Sequence, residues 1–222
     1  MITSHKKLLL IGAGGYAKSV IDSLPHGQYD ICGFIDKYKN KKLPMHLGHP
    51  ILGVSLDEID DLYQYCYFIC IGNNEDRKYY YDFLKRNKCK LINVVDPTAV
   101  VSSNTKIGEG VFIGKMVIVN SDVIVEDNAI LNTRSLVEHG CRIRKHVNLS
   151  TNAVINGDVF VEEGAFIGSC SVVNGQIRVG QWSTIGAGAV VVKDVNEYTT
   201  VVGVPAKPIV RRMLDGTDIY CG

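Results

Sequence analysis

Aliphatic residues recur at every sixth position through the second half of the chain. From Val95 to Val191 all seventeen positions of this register are Ile, Leu or Val, although these three types fill only 33 of the 102 positions from 95 to 196. Chance placement at that frequency would break the series within a few repeats. A second register, four residues after each member of the first, holds small or β-branched residues from Ala99 to Val195.

A period of six predicts a chain that winds into a three-walled column. Each six-residue unit supplies one short strand and one corner, the aliphatic side chains point to the axis, and the small residues leave room where the chain bends. Three units close one coil, so residues 95–196 hold nearly six coils and a column about 27 Å tall at about 4.8 Å per coil. We expect every strand to pair with the coils above and below it.

The first 94 residues lack this register and alternate between strand and helix patterns. This alternation predicts a small three-layer α/β domain, a Rossmann-like half, in residues 1–94. The basic segment Lys37–Pro50 contains Pro and Gly and is expected to be a loop, and residues 197–222 are expected to cap the column. The predicted elements of the first domain are strands Lys7–Ile11, Ile31–Ile35, Tyr67–Ile71 and Leu91–Val94 and helices Gly15–Leu24 and Glu75–Asn87.

The composition narrows the classes of partner. Lys and Arg number 24 against 23 Asp and Glu, so the net charge is +1 and binding to nucleic acid through charge is not expected. With 46% hydrophobic residues, the 222-residue chain can bury one or two sizeable cores. No apolar run approaches the roughly 18 residues of a membrane helix, and the apolar stretch near the start is too short for a signal peptide. We therefore predict neither nucleic acid nor membrane as a partner.

The cysteine pattern points to a reducing compartment. The seven cysteines are odd in number and scattered, without the CxxC or Cys/His spacing of a zinc site. This predicts free thiols, no metal and a cytoplasmic protein.

A glycine-rich turn follows the first predicted strand. Gly12-Ala13-Gly14-Gly15-Tyr16 opens the first helix, and Asp36 ends the next strand. Glycines let a backbone approach a phosphate at a helix N-terminus, and the carboxylate can accept ribose hydroxyls. A dinucleotide would need a second half-domain that 94 residues do not supply. A site for a nucleotide, a sugar or a sugar acid, or a merely structural tight turn, both remain open.

His139 is the strongest candidate for chemistry in the repeat. It lies two residues after the inward-pointing Val137, at a position outside the column, and an imidazole is the usual base for taking a hydroxyl proton during acyl transfer. The neighbouring Glu138 is expected to orient its ring. Cys141 and Cys170 raise the alternative of an acyl-cysteine intermediate, but Cys141 falls on the small-residue register, where packing explains it.

Several segments together resemble a known family over nearly the whole chain. The GAGGYAKSVIDSL start, FID, IGNNEDRK, LNTRSLVEHG, the sixfold repeat and GVPAK resemble the hexapeptide-repeat sugar O- and N-acyltransferases of bacterial surface-polysaccharide pathways. NTRSLVEHG, STNAVINGDV and GSCSVVNGQ are most similar to NeuD-type sialic acid O-acetyltransferases. The resemblance, not the spacing, implies a left-handed β-helix.

The resemblance also implies a mechanism and a set of site residues. It implies a homotrimer with active sites between columns, acetyl-CoA as donor, and direct transfer without metal or acyl-enzyme. His139 matches the general base, and Gly157 matches the glycine whose backbone N–H polarises the thioester carbonyl. The remaining matched positions are Asn132 in the active-site segment, Asn148, Ser169, Gly186, Ala187 and Lys207 along the CoA groove, and Gly14, Gly15, Tyr16, Asp36 and Lys37 at the acceptor.

The resulting expectation is O-acetylation of sialic acid, free or CMP-linked, in capsule or surface-polysaccharide synthesis. One alternative is N-acetylation of a nucleotide-linked amino sugar. Others are a non-catalytic accessory protein of sialic acid synthesis and a structural β-helix scaffold. Relatives often carry an acid directly after the catalytic histidine, whereas this chain has Gly140.

Overall fold

The computed structural model describes residues 5–38, 44–212 and 218–220. Its first part is an α/β domain built around a six-stranded sheet in the order β3-β4-β2-β1-β5-β6, parallel except for the β3–β4 hairpin. The elements are β1 (Lys6–Ile11), α1 (Gly15–Asp22), β2 (Tyr29–Ile35), β3 (Met45–His46), β4 (His49–Gly53), β5 (Cys66–Ile69), α2 (Asn74–Arg86) and β6 (Lys90–Leu91), with short 3-10 turns at Leu56–Glu58 and Leu62–Gln64.

The central strand β1 shows why this sheet is covered on both faces. Leu8 and Leu10 pack with α1, whereas Leu9 and Ile11 pack with α2, and all four are buried. Alternate side chains of a strand point to opposite faces, so a continuous apolar run needs a layer on each side. The predicted three-layer domain and its main strands and helices are confirmed, with ends displaced by a few residues.

The segment Lys37–Pro50 was expected to be a loop, and this expectation is wrong for its second half. Strands β3 and β4 form an antiparallel hairpin whose turn residues, Leu47 and Gly48, have φ of 50° and 79°. Two positive φ values are typical of the tight turn that matches strand twist. The prolines hid this hairpin in the sequence, but Pro50 lies near the start of β4, before the residues Ile51 and Gly53 that pair with β2.

The second part is a parallel β-helix of triangular cross-section. Strands pair in parallel at a spacing of 18 residues, as Ile113 pairs with Leu131 and Leu131 with Leu149. The last coil is shorter, and Thr184 pairs there with Thr200. We call the three sheets the first, second and third faces. The first face contains Val94–Val95, Phe112–Ile113, Ile130–Leu131, Asn148–Leu149, Phe166–Ile167, Thr184–Ile185 and Thr200–Val202, with Lys207–Pro208 added antiparallel. The second contains Val100–Val101, Ile118–Val119, Leu136–Val137, Val154–Ile155, Val172–Val173 and Val190–Val191. The third contains Lys106–Ile107, Ile124–Val125, Arg142–Ile143, Phe160–Val161 and Arg178–Val179. The short strands Val210–Arg212 and Asp218–Tyr220 pair antiparallel near the end of the chain.

A regular backbone feature turns the chain at each corner. Fourteen positions spaced six apart, from Gly110 to Gly188, have a positive φ. Four are glycine and the others include Asp122, Asn128 and Asp158, because Asn and Asp tolerate the left-handed region better than most residues. The axial aliphatic register forms one continuous buried core along the column.

A buried arginine joins the two parts. Arg77 of α2 is only 1% exposed, and its guanidinium donates to carbonyl oxygens from both domains. Burial lowers the pKa of Arg77 to about 10, so the group stays charged at neutral pH. Its acceptors are the backbone oxygens of Asn128, His146, Ile71 and Gly72 and Oδ1 of Asn74.

In the described ranges, no helix has the length and apolar character needed to cross a membrane.

Candidate active site

His139 lies on the edge between the second and third faces, where the chain turns after Leu136–Val137. Its side chain is 64% exposed. Gly157 occupies the same position in the following coil, and the imidazole lies directly against it. A Cβ built on Gly157 would stand 2.6 Å from Cε1 and 2.8 Å from Nε2 of His139. A side chain at residue 157 would therefore displace the ring.

The backbone around Gly157 leaves one donor available. Its carbonyl accepts from the N–H of Gln176, but its own N–H donates to no protein acceptor among the described residues. An exposed imidazole can accept a proton, and a free backbone N–H beside it can stabilise an oxyanion.

The acidic neighbour of the ring is not the one expected. Glu138 was predicted to orient His139, but in the described part of the chain the carboxylate within 4.0 Å of a ring nitrogen is that of Asp158, Oδ1 to Nδ1. Asp158 comes from the following coil and is distant in sequence. The sequence signal that would have found it is the spacing of 18 residues between Asp158 and Gly140, which places both at the same corner position.

The residues matched to the CoA groove lie along a different edge, between the first and second faces. Ser169 and Ala187 stand in successive coils there, and Ser169 Oγ lies 2.7 Å from Ser150 Oγ. Gly186 lies against Val202, which pairs with the exposed Lys207. Asn132 lies on this same edge, with Oδ1 accepting from the N–H of Thr133. One copy of the chain thus does not bring these residues next to His139.

Asn148 is separated from both groups. It lies within the first face, is buried, and donates its amide to the carbonyl of Gly72 at 3.1 Å. This position belongs to the boundary with the α/β domain, because Gly72 precedes the start of α2. We therefore assign Asn148 to domain packing rather than to the thioester groove.

The glycine-rich turn follows the carboxyl end of β1, which pairs with β5. Gly14 and Gly15 are exposed, and a Cβ on either would meet no atom within 4 Å, so local packing does not require glycine there. Asp36 already accepts from the N–H groups of Ala13 (2.6 Å) and Tyr38 (2.7 Å) and so fixes the turn. In open α/β sheets, ligands bind where neighbouring connections run in opposite directions, as they do between β1 and β5.

The other residues assigned to the acceptor are charged or buried. Lys37 is exposed and forms an ion pair with Asp76 at 2.9 Å, which raises its pKa to about 12. The ring of Tyr16 packs edge-on against Phe112 of the column, and its hydroxyl is buried. Burial raises the pKa of that hydroxyl well above its ordinary value. Tyr16 therefore packs the start of α1 against the column.

Cys141 is placed as its register predicted. It is 1% exposed, its Sγ donates to the carbonyl of Asn156, and burial raises the thiol pKa to about 11. A thiol in this state is a poor nucleophile at neutral pH. In the described ranges, no group of three or more His, Cys, Asp or Glu side chains is arranged to hold a metal ion.

Comparison with known proteins gives relatives over nearly the full length. Residues 7–84 match the PglD N-terminal domain family. The perosamine N-acetyltransferase of Caulobacter crescentus, crystallised as a mutant with CoA and GDP-perosamine, is 32% identical over 90% of this chain and 95% of that protein, with a TM-score of 0.83. The acetyltransferase domain of PglB from Neisseria gonorrhoeae, crystallised with acetyl coenzyme A, is 30% identical over 93% and 100%, with a TM-score of 0.86. WeeI from Acinetobacter baumannii is 27% identical over 90% and 98%, with a TM-score of 0.80.

An α/β domain followed by a left-handed parallel β-helix of hexapeptide repeats, with an exposed imidazole at a coil corner, defines a hexapeptide-repeat acyltransferase. The chain belongs to the family of sugar acetyltransferases that includes the perosamine N-acetyltransferase and the PglB acetyltransferase domain. The predicted fold class and the predicted acyltransferase activity are confirmed at this level.

Proposed function

We propose that the protein transfers an acetyl group from acetyl-CoA to a sugar, with His139 as general base. The observation that carries this proposal is the exposed imidazole lying on Gly157, whose N–H is free among the described residues. Acetyl-CoA as co-substrate is supported by the relatives crystallised with acetyl-CoA or CoA.

In this mechanism the transfer is direct. His139 takes the proton of the acceptor as its oxygen or nitrogen attacks the thioester carbon, and the carbon–sulfur bond breaks to release CoA. The Gly157 N–H stabilises the oxyanion of the tetrahedral intermediate. A general base contributes about 10²–10⁴-fold and an oxyanion donor about 10²–10³-fold. No residue of the chain becomes acylated.

The first test is a pair of substitutions on one edge of the column. His139→Ala should lower kcat by about 10²–10⁴-fold. Ser121→Ala, at the same position one coil earlier, should leave kcat within about twofold of the parent. Release of CoA thiol is measured with purified full-length protein. A His139→Ala variant that keeps activity within a few-fold of the parent would remove His139 from the mechanism.

For the acceptor, we propose a hydroxyl of sialic acid, free or CMP-linked, in capsule or surface-polysaccharide synthesis. The support is the resemblance of NTRSLVEHG, STNAVINGDV and GSCSVVNGQ to NeuD-type enzymes, together with the open space at the exposed Gly14 and Gly15, which lie near Lys37 in the same turn region. The backbone at the start of α1 and the lysine suit an anionic group such as a carboxylate or phosphate.

A nucleotide-linked amino sugar is the second acceptor class, and a specific observation favours it. The 32% identical perosamine N-acetyltransferase was crystallised with GDP-perosamine. Incubation with acetyl-CoA and a panel of sialic acids, CMP-sialic acid and nucleotide-linked amino sugars, followed by mass spectrometry, separates the two. An O-acetyl ester is cleaved by mild alkali, whereas an N-acetyl amide survives. Absence of product with every acceptor would favour the accessory-protein alternative.

We also propose a homotrimer with the active site between two copies. The support is the separation, within one chain, of the His139 edge from the edge that carries Ser169, Ala187 and Lys207. Co-expressed His139→Ala and Ala187→Trp chains test this, because each variant retains one intact edge. Random mixing should restore about a quarter of the parental activity. A site built within one chain would regain none.

The free cysteines of the described ranges support a reducing, cytoplasmic location.

A further inference from the structure

Gly140 and Asp158 occupy the same corner position in successive coils. They are 18 residues apart, and both have a left-handed backbone, with φ of 69° and 58°. A Cβ built on Gly140 would overlap Oδ1 of Asp158. The carboxylate of Asp158 therefore fills the space that a side chain at residue 140 would occupy.

This arrangement brings the carboxylate to the catalytic ring. Asp158 Oδ1 lies 4.0 Å from Nδ1 of His139, and the N–H of Asp158 donates to the His139 carbonyl at 2.9 Å. Gly157 supports the face of the same ring. The imidazole is thus bounded by two consecutive residues of one neighbouring coil, one without a side chain and one with a carboxylate.

We propose that Asp158 is the positioning residue of His139 and that Gly140 is required to admit it. The proposal rests on the proposed function of His139 as general base. A small rotation of either side chain closes the 4.0 Å gap to a hydrogen bond, and catalytic hydrogen bonds are often long before substrate binds. With Nδ1–H donated to the carboxylate, Nε2 carries the lone pair that receives the acceptor proton.

In the proposed reaction one proton passes from the acceptor to the imidazole and then to the CoA thiolate. The acceptor's proton moves to Nε2 as its oxygen or nitrogen bonds to the acetyl carbon. The carbon–sulfur bond then breaks, and the proton passes from the imidazolium to the CoA thiolate. Asp158 stabilises the imidazolium in between and exchanges no proton.

The neighbouring acids are not placed for this role. Glu138 is adjacent in sequence, but its carboxylate does not come within 4.0 Å of a His139 ring nitrogen in the described structure. Asp122 has the same corner position one coil earlier, with φ of 61°, whereas the ring lies toward the following coil. Asp122→Asn is therefore a matched control for Asp158→Asn.

The kinetic test uses five variants of the full chain with acetyl-CoA and the acceptor that the parent acetylates. Asp158→Asn should lower kcat roughly 10- to 100-fold with the KM for acetyl-CoA within about twofold, since an orienting carboxylate acts on the base. Asp122→Asn should match the parent, and Asp158→Glu should recover part of the loss. The double variant Gly140→Asp/Asp158→Gly, which moves the carboxylate one coil back, should be more active than Asp158→Gly alone. Equal kcat in Asp158→Asn and the parent would overturn the proposal.

A second measurement needs no substrate and separates this proposal from the proposed function. Imidazole ¹⁵N NMR of histidine-labelled protein, with the signal assigned from His139→Ala, reports which ring nitrogen carries the proton. The parent and Asp122→Asn should favour Nδ1–H, and Asp158→Asn should shift the population toward Nε2–H. An unchanged tautomer in Asp158→Asn would overturn the positioning role even in an active enzyme. An inactive parent with the expected shift would instead contradict only the acetyl-transfer function.

Discussion

Gly157 forms the surface on which the imidazole of His139 rests. The Cβ that glycine lacks would stand 2.6 Å from Cε1 of the ring, well inside van der Waals contact. The same residue carries a backbone N–H that is free of protein acceptors in the described ranges. Glycine at this position therefore leaves room for the ring and, in the proposed mechanism, also for the approach of a carbonyl oxygen.

This contact predicts a defect in Gly157→Ala that is catalytic rather than structural. The backbone of Gly157 is outside the left-handed region, so alanine should fold normally, but its methyl group should displace the ring. We expect kcat to fall at least about 10-fold and the Tm to change by no more than about 2 °C. Steady-state kinetics and thermal unfolding check this. Undiminished kcat would mean that the ring works without this support.

Cys141 provides a prediction about the chemical route. Because its thiol is buried and its pKa is raised to about 11, Cys141→Ala should acetylate the acceptor within about threefold of the parent rate. Quenched, denatured protein taken during turnover should carry no acetyl thioester by mass spectrometry. A large loss of activity together with an acetylated peptide containing Cys141 in the parent would support the covalent route instead.

The column was predictable from sequence because its period is short and its constraint is strict. Every sixth side chain points into an axis too narrow for anything but an aliphatic group, so each coil repeats the signal. The β3–β4 hairpin lacked such repetition: two short strands joined at Leu47-Gly48 left no periodic pattern. The corner residues with positive φ were equally hidden, because Met116 and Trp182 share that conformation with glycine.

The site was predictable only in part for a related reason. The outward position of His139 was predictable because it follows from the sixfold register, and the structure shows the side chain exposed. The partnership with Asp158 depends on the stacking of coils, and Gly140 contributes by lacking a side chain. The contacts between the two domains were not predicted either, since nothing near Arg77 in the sequence indicates that its acceptors lie 51 and 69 residues away.

Arg77 provides a prediction about stability. Arg77→Ala would leave the carbonyl oxygens of Asn128 and His146 without this donor at the domain boundary, so we expect a loss of about 3–5 kcal/mol in the free energy of unfolding. Arg86→Ala, at the exposed end of the same helix, should cost less than about 0.5 kcal/mol. Denaturant unfolding measures both. Equal effects of the two substitutions would contradict the role of Arg77 in joining the domains.

His146 predicts how stability depends on pH. It is 2% exposed, and its Nδ1 lies 2.8 Å from Nδ2 of Asn128, which donates to it. Burial, together with the positive charge of Arg77, lowers the pKa of His146 to about 4 from an ordinary value of 6.5. The folded protein thus holds this ring neutral where the unfolded chain protonates it.

The contribution of His146 to the free energy of unfolding should therefore be fully present above about pH 6.5 and should decline as the pH falls toward 4. The unfolded state binds the extra proton in this window, so stability rises with pH there, by roughly 3 kcal/mol in total. His146→Gln should flatten the slope between pH 4 and 6.5, whereas His26→Gln, in a surface turn, should leave it nearly unchanged. Urea unfolding at half-unit pH intervals measures the slope. A variant at residue 146 with the parental slope would show that another group titrates in this range.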